Sequence, residues 1–218
     1  MLEAYPDAMR ELFDIDAMTS GTGYLNVELF SIVLPAMFLL AAVGRGARMI
    51  AGEEQDGLLD VVLLGRPSRT RVLLEKAAGL VAGVVALGAV LWCSVALAGV
   101  VVDIDVDPFE LAVGSTAMVL LGVVHGLVAL AVGAATGRRT RALVAAGTVG
   151  VAGYVLHVVG ALVRGVEPWR PISPFTQAIV NGPGPADVPL AFLVLLGTSV
   201  AVSGLGALRF ARRDIGTG

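Results

Sequence analysis

The side chains with most chemistry to offer in this sequence are His125, His157, Ser115, Cys93 and Lys76, together with the acidic run Glu53, Glu54 and Asp56. Two histidines can share a metal or pass a proton. A serine or thiolate can attack a carbonyl, and a lysine after a glycine-rich loop can hold nucleotide phosphates. Spacing sets up none of these arrangements. Ser115 lacks a Gly-x-Ser-x-Gly setting, and Cys93, the single cysteine, cannot close an intrachain disulfide and reads as an inert core residue. Lys76 is the only lysine and follows Glu75 rather than a glycine, so there is no Gly-x-x-x-x-Gly-Lys-Ser/Thr loop to bind a nucleotide.

Placing the histidines requires the elements that carry them. The 218 residues are 56 % hydrophobic and 15 % charged, against roughly 25 % charged in an ordinary soluble domain. Uncharged blocks run over 77–102, 111–137, 142–163 and 188–208, each close to or above the roughly 20 residues needed to cross a bilayer as a helix. A further block follows Glu28, with Tyr24 as an aromatic anchor. Continuous apolar runs exclude a β-barrel, whose strands alternate. The expected fold is an all-α integral membrane protein: one membrane domain over 1–218, a polytopic bundle of about five transmembrane helices near 25–44, 77–102, 111–136, 143–163 and 188–208. His125 then lies fourteen residues from the start of its span, about 21 Å deep at 1.5 Å per residue, and His157 lies about 9 Å from the same surface. About 12 Å of depth separates them, so both read as packing or cavity-lining residues rather than a shared metal site.

The basic residues set an orientation. Arg45, Arg48, Arg66, Arg69, Arg71 and Lys76 fall between the first two spans, Arg138, Arg139 and Arg141 between the third and fourth, and Arg209, Arg212 and Arg213 after the last. By the positive-inside rule these intervals are cytoplasmic, as is the C-terminus, while the N-terminus and the 103–110 and 164–187 loops are outside. Residues 1–23 would then be outside with no signal peptide or preceding span to carry them. An acidic amphipathic segment such as Tyr5–Phe13 can cross by itself, but an omitted upstream helix is the simpler expectation. At membrane borders, arginine clusters answer to headgroups and topology, and no nucleic-acid partner is expected. Gly79 and Gly83, Gly122 and Gly126, and Gly133 and Gly137 form Gly-x-x-x-Gly pairs that permit close helix contact.

Between the first two spans, the cytoplasmic segment 45–76 reads as two short helices with a corner. Glu53, Glu54 and Asp56 open the first, Leu58, Leu59, Val62 and Leu63 form its apolar stripe, Gly65 and Pro67 end it, and Ser68 caps the next. On physics alone this is an amphipathic helix in the headgroup layer. The string Ile50-Ala-Gly-Glu-Glu-Gln-Asp-Gly-Leu-Leu-Asp, with Arg66-Pro67-Ser68-Arg69 and Lys76 before a span, resembles the ABC-2 family of exporter permeases, closest to antibiotic and polyketide exporters. Ile172-Ser-Pro-Phe175 in the last outside loop and Phe210-Ala-Arg-Arg-Asp-Ile215 at the end follow in the family's order, while Leu58 stands where the family usually has threonine.

The resemblance implies a membrane subunit of an ATP-driven exporter in the plasma membrane, with no catalytic residues, cofactor or metal of its own. A separate ABC ATPase subunit would bind ATP and Mg, and a second permease copy or homologous half would complete the path through the lipid bilayer. Glu53, Glu54, Gly57, Leu58, Leu59, Val62, Pro67 and Arg69 would form the ATPase contact of a coupling helix. Ser173, Pro174 and Phe175 are candidates for an outer gate, and Trp169 for an anchor beside them. Two rivals remain. An intramembrane enzyme would use the residues weighed above, and an ion-coupled secondary transporter would need buried coupling charges and paired broken helices, for which Glu28 and a kink at Pro35 are the nearest features.

Overall fold

The computed structural model describes residues 26–58, 68–102, 107–180 and 188–212. Every element among them is helical, and five helices are long and apolar enough to cross a membrane. The first runs Phe30–Gln55 and has as its regular centre α1 (Leu34–Ala47), between π-helical turns Asn26–Val33 and Arg48–Gly52. Pro35 stands at the junction of π and α register, where its missing N–H and the change of register coincide. There follow α2 (Arg69–Val102), α3 (Pro108–Thr136), α4 (Arg139–Leu162) and α5 (Val188–Arg212).

Local chemistry marks the ends. Ser68 Oγ accepts the backbone N–H of Arg71 at 3.2 Å and so caps α2 as its position suggested. Asp107 Oδ1 accepts from Phe109 N at 2.7 Å and Glu110 N at 3.4 Å, with Pro108 at the first helical position of α3. Gly137, at φ 63°, is the left-handed cap of α3 and sends its N–H to the Gly133 carbonyl at 2.8 Å. Gly137 thus ends the helix, while Gly133 gives close packing against Ala51 and Ala142.

Packing is organised around α3. Some 78 % of its apolar window is buried, against 17–39 % in the other four spans, and it touches all of them. Close approach depends on small residues. The α1 backbone at Gly46 rests on the Gly126 carbonyl, and a Cβ at Gly126 would come 3.0 Å from Leu80 and 3.1 Å from Ala42. Gly122 meets Phe38 and Val84, and Gly206 on α5 meets Ala131. The outward faces of the peripheral helices carry Leu40, Val90, Leu97, Val100, Val200 and Leu205, all exposed as lipid-facing side chains are. Cys93 is on such a face, which corrects its reading as a core residue.

The interval 45–76 departs most from the sequence reading. The first helix does not stop near residue 44 but continues to Gln55, and α2 begins at Arg69. Charge counting missed this because Arg45 and Arg48 occupy one face, while Ala42, Gly46, Ala47, Ile50 and Ala51 continue the buried face. Glu53 and Glu54 are therefore in the last turn of the first helix rather than opening a separate short helix.

Candidate functional site

Two places gather the singled-out residues, one at each end of the bundle. At the first, the Asp56 and Gly57 N–H groups bond back to Gly52 and Glu54 carbonyls at 2.9 and 3.1 Å, and Gly57 takes φ 72°, a conformation that favours glycine. The helix stops there, and Leu58 leaves it 55 % exposed. Glu53 forms an ion pair with Lys76 of α2, tying the end of the first helix to the second. Glu53, expected in the ATPase contact, thus has one carboxylate oxygen paired within the chain. Arg69 opens α2 seven residues before Lys76 and on the same face. Arg71 and Glu75 pair at 2.8 Å on the exposed side. Leu59, Val62 and Pro67 lie outside the described residues.

At the opposite end, the chain between α4 and α5 does not stay at the surface as expected. Among the described residues, 163–172 do stay there, including the 3₁₀ turn Glu167–Ile172 with Trp169 61 % exposed. Ser173 to Ala178 then enter the bundle, with Ser173, Phe175, Thr176, Gln177 and Ala178 buried. Ser173 Oγ donates to the Gly153 carbonyl at 2.7 Å and accepts from Phe175 N at 3.1 Å and Thr176 N at 3.4 Å. Pro174 follows this cap, and Gln177 Nε2 holds the Pro171 carbonyl at 2.8 Å. Gly153 is nine residues from the end of α4 at Leu162, so the segment descends about 14 Å, near the middle of that helix.

The histidines meet this segment at different depths. Phe175 packs edge-on against His125, centroids 5.7 Å apart, and against Tyr154 at 5.5 Å, while Tyr154 lies 6.3 Å from His157. His157 Nδ1 is 3.1 Å from Thr176 Oγ1. His125 Nδ1 donates to the Leu121 carbonyl at 2.8 Å, and in the neutral ring this leaves Nε2 a fully buried acceptor without a partner. Phe175 thus spans the depth between the histidines without making them one site, and among the described residues no cluster of three His, Cys, Asp or Glu could hold a metal.

Sequence reasoning named Ser173, Pro174 and Phe175 but missed the receptor that takes them. That receptor is formed on α4 by Gly153, His157 and Gly160, part of a buried stripe spaced by three and four residues that continues through Gly150 and Ala146 towards the first helix. Gly150 abuts Leu39 and His125, Gly153 the Phe175 ring, and Gly160 the Arg170 stem. The spacing was legible as a helix face, but not as a groove for a loop. No protein family, curated protein or solved structure matches the chain.

Proposed function

We propose that the chain is the membrane-embedded permease subunit of an ATP-driven exporter of the ABC-2 kind, with the 53–69 corner cytoplasmic and docked on a separate ATPase. The supporting observation is the corner itself: a helix stopped at Gly57, tied to α2 through Glu53 and Lys76, and projecting an exposed Leu58 from the bundle end. A push on such a corner moves α1 and α2 together. The order of short motifs along the chain, from the acidic pair to the Ser-Pro-Phe insertion, supports the same reading. In this mechanism nucleotide binding closes the ATPase subunits, the corner shifts, and the inserted segment between α4 and α5 opens a path at the other end.

The test is reconstitution of the full chain with its ATPase partner in vesicles. Leu59→Asp is expected to insert normally and abolish stimulation of ATP hydrolysis; full stimulation would reject the coupling role.

One observation favours a second reading, an ion-coupled carrier: the buried, unpartnered Nε2 of His125 beside an inserted segment. Substrate movement driven by an ion gradient without nucleotide, and lost in His125→Leu, would select it.

A further inference from the structure

A groove of about 900 Å³ lies at the end of the first helix and the start of α4, with Ala41, Gly44, Arg45, Arg48, Glu53 and Arg139 in its lining. We propose that it is a binding site for one anionic phospholipid with a hydroxylated headgroup, its phosphate held among the three arginines and an acyl chain laid along α1.

Charge is the first reason. Among the described residues none of Arg45, Arg48 and Arg139 makes an ion pair, and Arg139 Nε is buried without a hydrogen-bond acceptor. Arg45 is held in place rather than free to sweep. Its guanidinium lies on the bare backbone of Gly83, where a Cβ would come 2.8 Å from Nη1. Three arginines lining one groove suit a phosphate, which accepts from planar N–H forks.

Shape is the second reason. Above the arginines, Met37, Leu40, Ala41 and Gly44 follow one another at helical spacing on the face of α1 turned away from α3. Met37 is 59 % and Leu40 76 % exposed, and a side chain at Gly44 would meet nothing within 4 Å. An apolar track ending in a cationic pocket fits an amphiphile better than a free anion. Glu53 and Asp56, also in the lining, refine the headgroup. Glu53 Oε1 is taken by Lys76, while its Oε2 is buried without a donor and can accept from a headgroup hydroxyl. Asp56 is exposed at the mouth. This is a built site, distinct from the diffuse attraction of basic residues to an anionic leaflet. It rests on bilayer embedding alone and needs no ATPase.

The probe is phosphatidylglycerol, offered to the full chain in mixed vesicles with phosphatidylcholine, followed by extraction and native mass spectrometry. One phosphatidylglycerol is expected to stay on each chain, and phosphatidylcholine is not. Arg48→Gln with Arg139→Gln should lower retention roughly tenfold, while Arg164→Gln with Arg212→Gln leaves it unchanged. Gly44→Leu fills the track in open space without touching the arginines, and should also weaken retention. Equal retention of both lipids, or unchanged retention in both groove variants, would overturn the site. Displacement by inorganic phosphate would assign the groove to a free anion and overturn the lipid. A chain that fails to co-sediment with vesicles would instead reject membrane embedding itself.

Discussion

A single hydroxyl organises the segment between α4 and α5. Ser173 Oγ is 1 % exposed as a residue and serves both as a helix cap and as a pin to the Gly153 carbonyl. Backbone inside a bundle is tolerated in lipid only where its polar groups find partners, and this hydroxyl supplies three contacts. Ser173→Ala is therefore expected to cost about 1 kcal/mol, the usual loss for removing a serine cap. Thermal unfolding in mild detergent reads it, and a variant as stable as the parent would show that Phe175 packing alone holds the segment. The roles of Tyr154 and Thr176 could not be found from sequence, because each depends on a loop entering the bundle and neither has a local signature. Phe175 was named from a short motif, but its burial at 4 % follows from the bare face of Gly153 and the rings of His125 and Tyr154, which only the packed structure brings opposite.

At the scale of elements, the corner between the first helix and α2 depends on two local devices. Gly57 at φ 72° lets the chain turn without a Cβ clash, so Gly57→Ala should cost about 1 kcal/mol while Gly57→Asn, which tolerates the left-handed region, costs less. The ion pair of Glu53 with Lys76 has half-buried side chains, 26 % and 25 % exposed, and joins residues 23 apart in sequence. Lys76→Glu should loosen the corner by about 1 kcal/mol, and adding Glu53→Lys should recover most of it. Amide exchange at the corner is the measurement; no recovery in the double variant would mean that the pair adds nothing beyond packing. Sequence reading located this corner but misplaced the helix ending there. It counted the run of uncharged residues, whereas the helix follows its inner face, where Ile50 and Ala51 are fully buried behind the exposed Arg48. Charge-free length measures hydrocarbon thickness, and amphipathic periodicity measures the helix, so the two diverge at membrane borders.

Across the whole molecule, the five apolar runs were legible because length and composition alone distinguish them, but nothing in composition singled out α3 as the centre. It is the central helix because Gly122 and Gly126 admit α1 and α2 to its backbone, and Gly126→Leu should destabilise the bundle by about 1–3 kcal/mol through overpacking against Leu80 and Ala42. Those contacts also fix which helix ends share a side. Glu53 with Lys76 joins the end of the first helix to the start of α2; Ala51 with Gly133 joins it to the end of α3; Gly206 with Ala131 brings the end of α5 alongside. Of the twelve described Arg and Lys residues, ten therefore stand at one end, and only Arg164 and Arg170 stand at the other. By the positive-inside rule such an imbalance supports the cytoplasmic placement of the basic end on which the proposed function depends. Cys93 is exposed within a span, so Cys93→Ala gives a thiol-free background without opening a core cavity. In that background, Gln55→Cys and Ser68→Cys are expected to resist a membrane-impermeant thiol reagent applied to intact cells, and Trp169→Cys is expected to react. Labelling at Gln55 or Ser68 would put the corner on the outer surface, where no cytoplasmic ATPase can reach it, and would end the exporter reading.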